Sequence, residues 1–184
     1  VVEACVADGV LERPWQAGRQ YRGFVDPSGG SADSMTMAIS HSEGDRVVLD
    51  VMRERKPPFS PASVVEEFAR LFRQYGVTKI VGDRYAGEWP REAFRDHGIT
   101  YEPAEKSRSE LYVDLLPLSN SGRADLLDSD RLVAQLVGLE RRTSRGGREM
   151  IDHGPSGHDD LANAVAGALD LVAMRRSTYT LENV

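Results

Sequence analysis

Polar and apolar positions alternate with the period of a strand in three consecutive segments of the first third of the chain. The sequence predicts strands over residues 21–26, 34–41 and 46–54, the last two joined by the short connection SEGD. Each segment follows the previous one closely, which favours antiparallel pairing of the three.

The period then changes to that of a helix over residues 57–76. Ser60 can cap the start of this helix, and Gly76 can end it. One face of the helix is apolar: Val64, Phe68, Leu71, Phe72 and Tyr75. An amphipathic helix of this kind packs on a sheet.

The rest of the chain alternates strands and helices. The pattern predicts strands over 77–83 and 99–104, helices over 88–98, 107–118 and 129–140, a hairpin over 140–152 that turns at Gly146–Gly147, and a last helix that begins near Gly157. This order is typical of an α/β fold with a mixed central sheet flanked by helices. A right-handed crossover would bring the fourth strand parallel to the first and beside it.

The predicted domain organisation is simple. Residues 1–20 have no clear period and are predicted as a lead-in segment, residues 21–175 as a single domain, and residues 176–184 as a flexible polar tail. The abrupt start at Val1 suggests a fragment excised from a longer protein.

The amino-acid composition excludes several classes of protein. A single cysteine, Cys5, excludes an internal disulfide framework and a cysteine-cluster zinc site. No apolar run is long enough for a membrane span and no signal peptide opens the sequence, so we expect an intracellular protein with no membrane partner. The net charge of −6 argues against coating nucleic acid by bulk electrostatics, but it allows an enzyme with local basic residues.

Carboxylates end two of the predicted strands. Asp26 ends the first strand and Asp83 the fourth, and the carboxyl ends of neighbouring parallel strands share one crevice. Because adjacent strands lie about 4.8 Å apart, both side chains can reach one cation. Asp159 and Asp160 open the apolar last helix, which can pack across the same end of the sheet.

Such a convergence of acids is costly unless a cation neutralises it. A set of oxygen ligands alone suits Mg²⁺ or Mn²⁺, and two such ions about 3.5–4 Å apart permit in-line phosphoryl displacement. Each acid also has a plainer interpretation, since Asp26 and Asp83 can start turns and Asp159 can cap a helix. Their joint placement favours the metal site.

Two further residues are secondary candidates. Asp33 lies just past the turn DPSGG and is a weaker candidate ligand, while His158 can be a supporting donor, a proton shuttle or a surface histidine. The turn itself lacks the G-x-x-x-x-G-K-[ST] pattern, so it is no Walker loop.

Three motifs resemble a known family in their order and spacing. YRGFVDPSGG, KIVGDRYAG and SGHDDLANAVAGAL are similar to the C-terminal nuclease domain of the large terminase subunit of tailed bacteriophages, over about residues 20–173. HDDLANA, after an ERR…GG hairpin, is the most specific of these features. The resemblance implies a ribonuclease-H-like fold and metal-dependent cleavage of double-stranded DNA during viral genome packaging, with two Mg²⁺ or Mn²⁺ ions.

The resemblance also implies roles for single residues. Asp26, Asp83 and a carboxylate of the HDD motif would bind the metal, with Asp160 favoured as the direct third ligand and Asp159 as second or alternate. Lys106 falls where the family often has a basic residue near the site, for phosphate or transition-state contact. Weak contacts to DNA are expected from a set of arginines: Arg84, Arg108, Arg141, Arg142 and Arg145.

In a full-length protein, the resemblance implies an N-terminal packaging ATPase domain, and as partners the small terminase subunit and the portal, in the cytoplasm of an infected bacterial host. Three alternatives remain: another ribonuclease-H-like nuclease (a resolvase or a transposase core), a noncatalytic docking module of the packaging motor, and a small-ligand α/β protein with acids at its turns. A resolvase would prefer branched DNA. The filled acidic positions favour a nuclease over a docking module.

Overall fold

The computed structural model describes residues 1–143, 149–154 and 158–179. Its strands are β1 (Val6–Ala7), β2 (Tyr21–Asp26), β3 (Met35–Glu43), β4 (Arg46–Arg55), β5 (Lys79–Gly82), β6 (Thr100–Pro103), β7 (Ala124–Leu127), β8 (Leu139–Thr143) and β9 (Glu149–His153). Its helices are α1 (Pro61–Gln74), α2 (Trp89–Asp96), α3 (Arg108–Asn120), α4 (Asp130–Val137) and α5 (Asp160–Tyr179). Short 3₁₀ helices cover Glu3–Cys5 and Arg84–Ala86.

Seven strands form a mixed central sheet in the order β1-β7-β4-β3-β2-β5-β6. The chain runs antiparallel through β2, β3 and β4, and β5 returns parallel to β2. The predicted antiparallel meander, the parallel place of the fourth predicted strand beside the first and the central place of the first strand are therefore confirmed. As a consequence, the carboxyl ends of β2 and β5 lie side by side.

Two strands of the sheet were not predicted. β7 pairs parallel with β4, and the two-residue β1 pairs parallel with β7. The two residues of β1 are too few to establish a period, and β7 is a short, mostly apolar run between two helices that periodicity alone does not assign to a strand. Part of the predicted lead-in thus adds an edge to the central sheet.

The predicted hairpin is present as the antiparallel pair β8–β9, separate from the central sheet. Its predicted turn at Gly146–Gly147, the predicted helix start near Gly157 and the end of the predicted tail, residues 180–184, lie outside the described residues. The predicted helix over 129–140 is too long at its carboxyl end, because the chain leaves the helix at Gly138 and enters β8.

The core lies on both faces of the sheet. On one face, α1 packs its predicted apolar side, with Val64, Phe68 and Phe72 fully or almost fully buried. Ser60 occupies the N-cap of this helix, as predicted, but its hydroxyl makes no capping hydrogen bond. Gly76 follows the helix with a positive φ of 68°, a conformation that glycine adopts readily.

The other face of the sheet is covered by α5 and α3. Helix α5 lies close to β2 because Gly167 leaves space for the ring of Phe24: a Cβ atom at residue 167 would lie 2.4 Å from a ring carbon. The Ser40 hydroxyl donates a 2.6 Å hydrogen bond to the Ala168 carbonyl and joins the helix to β3. Across the described residues, no helix has the length and apolar character needed to cross a bilayer.

Candidate metal centre

Asp26, the last residue of β2, is buried at the carboxyl end of the sheet. Its Oδ2 atom accepts a 2.8 Å hydrogen bond from Nδ2 of Asn163 on α5. Burial raises the pKa of Asp26 to about 7, and the negative charges of Asp83 and Asp160 act in the same direction against Arg108 and Asn163. The site therefore favours a neutral carboxyl or a neighbouring cation.

Asp83 follows β5 and is fixed through its backbone. Its N–H donates to the Val25 carbonyl of β2 at 3.2 Å, and its own carbonyl accepts a 2.8 Å hydrogen bond from the Tyr101 hydroxyl. The ring of Tyr101 can approach because Gly82 has no side chain, since a Cβ atom there would lie 2.4 Å from the ring. These contacts hold the two strand ends, and with them the two carboxylates, in one place.

The amino-terminal end of α5 brings Asp159 and Asp160 to the same edge. The Thr36 hydroxyl on β3 donates a 2.7 Å hydrogen bond to the Asp160 carbonyl. From α4, the Gln135 Oε1 atom accepts the Ala162 N–H at 2.9 Å, which satisfies one of the free amides of the helix start. The first turn of α5 is therefore attached to the sheet and to α4.

The two adjacent carboxylates have different surroundings. Asp159 is almost fully buried, and both its oxygens are occupied: Oδ2 accepts from the Tyr112 hydroxyl and Oδ1 from Arg108 Nη1, each at 2.8 Å. Asp160 Oδ2 is also buried, but it has no hydrogen-bond partner among the described residues. Burial raises the pKa of Asp160, and Asp159 and Asp33 add to this effect.

Arg108, the first residue of α3, lies between the acids. Its Nη1 contacts Asp159, and its Nη2 lies 3.3 Å from Asp26 Oδ2 and 3.7 Å from Asp83 Oδ2. Burial alone would lower the pKa of the guanidinium, but the carboxylates outweigh it and raise the pKa. The cation that the acids require is, in this state, an arginine.

All four aspartates predicted as ligands line one cleft of about 530 Å³, together with Arg108. The secondary candidates Asp33 and His158 lie exposed at the same cleft. The structure thus brings together every acidic residue that the sequence singled out.

Lys106 and Arg84 line a neighbouring groove of about 370 Å³ that also reaches Asp83 and Arg108. The Lys106 Nζ atom forms two 2.7 Å ion pairs, with Asp114 Oδ2 and Asp170 Oδ1. These hydrogen bonds raise the pKa of Lys106 against the opposing effect of burial. Its ammonium group is therefore held beside the carboxylates predicted as ligands rather than among them.

Two of the three remaining predicted arginines are on the described part of the hairpin. Arg141 and Arg142 are exposed on β8, and Arg142 Nη2 pairs with Glu140 Oε2 at 3.0 Å. Arg145 lies outside the described residues.

Four residues of the site were missed by sequence reasoning: Tyr112, Asp152, His153 and Asn163. The Nδ1 atom of His153 lies 2.7 Å from the Gly154 carbonyl, and its Nε2 atom lies 4.0 Å from Asp159 Oδ1. Possible ligand atoms of Asp152, His153 and Asp159 are all within 4.8 Å of one another. Asn163 could have been found from its spacing, one helical turn after Asp160. Tyr112 comes from α3, remote in sequence, while Asp152 and His153 precede the HDD motif closely but lie on a strand whose pattern does not mark them as site residues.

The donor set fits a divalent cation. Carboxylates come from β2, from the end of β5 and from the start of α5, and a buried oxygen of Asp160 lacks a partner among the described residues. Carboxylate oxygens are ligands that Mg²⁺ and Mn²⁺ prefer. A cation here would offset the repulsion and burial that raise the pKa of Asp26.

No protein-family model and no curated protein sequence matches this chain. Solved structures do. The large terminase nuclease from thermophilic phage G20c aligns with a TM-score of 0.76 and 17% identity over 92% of this chain and 95% of that one, and its form with bound magnesium aligns with a TM-score of 0.75, 17% identity and coverages of 92% and 94%.

Two further structures extend the comparison. The large terminase of bacteriophage HK97 gives a TM-score of 0.71 and 15% identity over 92% of this chain but only 42% of that chain. A mutant nuclease domain of the Sf6 large terminase subunit, with manganese and β-thujaplicinol, gives a TM-score of 0.64 and 16% identity over 84% and 90%. The predicted ribonuclease-H-like fold is confirmed by these likenesses.

Proposed function

We propose, from the fold that this chain shares with the nuclease domains of phage large terminases, that it is a metal-dependent endonuclease domain which cleaves double-stranded DNA during viral genome packaging. The observation that carries this proposal is the convergence of Asp26, Asp83 and Asp160 in one cleft. Fold alone does not imply activity, but the presence of an aspartate at each of these positions on this fold supports a nuclease.

In this proposal, Asp26, Asp83 and Asp160 hold two Mg²⁺ or Mn²⁺ ions. Such ions, when bound, activate the attacking water and stabilise charge on the leaving oxygen of the phosphodiester. The protein contributes rigid placement: Asn163 orients Asp26, the Tyr101 hydroxyl fixes the backbone of Asp83, and Thr36 fixes that of Asp160. The large terminase nuclease of phage G20c binds magnesium in one solved structure, and the Sf6 nuclease domain is solved with manganese, which supports this choice of ions.

The DNA backbone would lie across the cleft and the neighbouring groove. Arg84 and Lys106 line that groove, and Lys106 could contact a phosphate by giving up one of its two carboxylate partners. Further candidates for phosphate contacts are Arg141 and Arg142 on β8, and Arg145. Because the net charge is −6, binding by this chain alone is expected to be weak, nonspecific and sensitive to salt.

The wider assignment follows from the same likeness. The chain corresponds to less than half of the HK97 large terminase, which supports a longer protein with an N-terminal packaging ATPase domain. Such a protein would act with the small terminase subunit and the portal in the cytoplasm of an infected bacterial host.

The test is cleavage of supercoiled plasmid DNA with Mn²⁺, Mg²⁺, Ca²⁺ or EDTA, with Asp26→Asn as the inactive variant. Asp45→Asn is the matched control, since Asp45 is exposed in the β3–β4 turn at the opposite end of the sheet. We expect nicking and linearisation with Mn²⁺ or Mg²⁺, retained by the control and lost with EDTA and with Asp26→Asn.

Two other outcomes are informative. A folded protein that neither cleaves DNA nor binds Mn²⁺ would contradict the proposal and favour the docking module. Preferential cleavage of a branched junction over linear duplex would favour a resolvase instead.

A further inference from the structure

The two terminal nitrogen atoms of the Arg108 guanidinium make different contacts. Nη1 donates a 2.8 Å hydrogen bond to Asp159 Oδ1, while Nη2 lies at longer distances, 3.3 and 3.7 Å, from Asp26 and Asp83. The first contact has the length of a strong charge-assisted hydrogen bond, and the other two are looser.

The hydrogen bond between Arg108 Nη1 and Asp159 is held in place by neighbouring residues. Arg108 begins α3 directly after Ser107, whose side chain forms a capping box with Glu110. Asp159, its partner, is held in turn by the Tyr112 hydroxyl from the next turn of the same helix. Arg108, Asp159 and Tyr112 therefore form a closed set of contacts between α3 and the start of α5.

The Nη2 atom, which makes the longer contacts, occupies the space that a metal ion requires. A divalent cation of this class binds carboxylate oxygens at about 2.0–2.2 Å, so an ion shared by Asp26 and Asp83 would lie where Nη2 now approaches both. The two cations cannot share these oxygens without strong repulsion. Metal binding must move Nη2.

We propose that Arg108 is an exchangeable counter-ion of the metal centre. Without metal, Nη2 neutralises Asp26 and Asp83; with metal, Nη2 leaves them while Nη1 stays on Asp159, and the freed N–H groups donate to a phosphate oxygen of the DNA in the cleft. The last step rests on the proposed nuclease function. The exchange itself concerns only the protein and the ion.

This proposal divides the HDD acids by role. Asp159 is a positioning residue that holds Arg108, since both its oxygens are occupied by protein donors. Asp160, with a buried oxygen that lacks a described partner, is the metal ligand. If the ion pair at Arg108 were purely structural, there would be no reason for Asp159→Asn and Asp160→Asn to differ in their effect on metal affinity.

The first experiment measures Mn²⁺ affinity without DNA, by calorimetry or by electron paramagnetic resonance of free Mn²⁺. Arg108→Gln keeps a polar side chain and removes the competing charge, so we expect about tenfold tighter Mn²⁺ binding. Asp160→Asn should weaken binding by tenfold or more, and Asp159→Asn by less than about threefold. Arg46→Gln, which removes a guanidinium paired with Asp125 at the far end of β4, should leave the affinity unchanged.

Thermal melting provides a second readout that activity does not influence. Arg108→Gln should lower the Tm in EDTA, because three acids lose their counter-ion, and Mn²⁺ should raise its Tm by more than it raises that of the wild type. Unchanged or weaker Mn²⁺ binding by folded Arg108→Gln would overturn the exchange. Equal losses of affinity in Asp159→Asn and Asp160→Asn would overturn the division of roles.

Cleavage tests the step at the phosphate separately. At saturating Mn²⁺, Arg108→Gln should lower kcat by about 100-fold, and Arg108→Lys should recover part of it. Tighter Mn²⁺ binding together with an inactive wild type would retain the exchange and reject the nuclease. Full activity of Arg108→Gln at saturating Mn²⁺ would reject the phosphate contact.

Discussion

Asn163 on the last helix donates a hydrogen bond of 2.8 Å from Nδ2 to Oδ2 of Asp26 on the central strand. It is a direct polar link between the helix that carries Asp160 and the strand that carries Asp26. Asn163 follows Asp160 by three residues, so both side chains lie on the same face of α5. The helix thus supplies one acid of the site and orients another.

Replacing Asn163 with Asp tests this link. The change keeps the shape of the side chain but sets a further carboxylate against Asp26, so the metal-free protein should lose about 1–3 kcal/mol of stability. Thermal melts in EDTA and in Mn²⁺ measure the loss and its expected partial recovery by the cation. Asn120→Asp, at an exposed position at the end of α3, should change the Tm little. An equal effect of both substitutions would contradict the link.

The raised pKa of Asp26 predicts a pH dependence of stability. A carboxyl whose pKa is about 7 in the folded chain, above its ordinary value of 3.8, binds a proton more tightly when folded. Its contribution to stability is therefore present below about pH 4 and is lost as the pH rises towards 7. In EDTA, the free energy of unfolding of the wild type should fall over this window relative to that of Asp26→Asn.

Chemical denaturation of both proteins between pH 4 and 8 measures this difference. Comparing the two proteins removes the contributions of other carboxyls whose pKa is raised, such as Asp160 and Asp170. Parallel pH profiles would show that Asp26 is ionised at no cost in the folded chain.

Asp83→Asn should abolish cleavage and leave the fold intact. The substitution removes one ligand charge, while the backbone contacts to Val25 and Tyr101 that fix this position do not involve the side chain. Plasmid cleavage and circular dichroism measure the two properties. Asp96→Asn, at an exposed position at the end of α2, should keep full activity. Retention of most activity by Asp83→Asn would remove Asp83 from the site.

The close approach of α5 to β2 predicts a cost for a single methyl group. In Gly167→Ala the new Cβ atom would lie 2.4–2.6 Å from ring carbons of Phe24, so the helix or the ring must shift, at about 1–3 kcal/mol. Urea denaturation measures the loss, and Phe24→Leu in the same chain should recover part of it. If the stability loss of the double variant equals or exceeds the sum of the two single losses, the contact between residues 167 and 24 does not cause the loss in Gly167→Ala.

Much of the fold could be predicted from periodicity alone. The β2–β3–β4 meander, α1 and the parallel return of β5 have patterns long enough to read, and their order decides the topology. The edge strand β1 and its neighbour β7 could not be predicted, because their short segments become strands only through pairing with β4 and with each other. Tertiary context, not local preference, decides such segments.

The candidate site shows the same division. Asp26 and Asp83 could be proposed because strand ends and crossover rules place them together, and Asp160 because it opens a buried helix. The environment of each acid could not be predicted, since it depends on Tyr112 and Arg108 of α3, which no spacing relates to β2 or α5. The sequence therefore predicts which acids meet but not that an arginine neutralises them.

The separation of the site residues along the chain also bears on synthesis. Asn163 and Asp26 are 137 positions apart, and α5 enters the fold after the whole central sheet. When the strands have left the ribosome but α5 has not, the nascent chain has Asp26 and Asp83 in place without Asp160. At this stage one apolar face of β2 is still uncovered. If the chain is a nuclease, its nascent form cannot cut the nucleic acid around it, and competence begins only with the docking of α5.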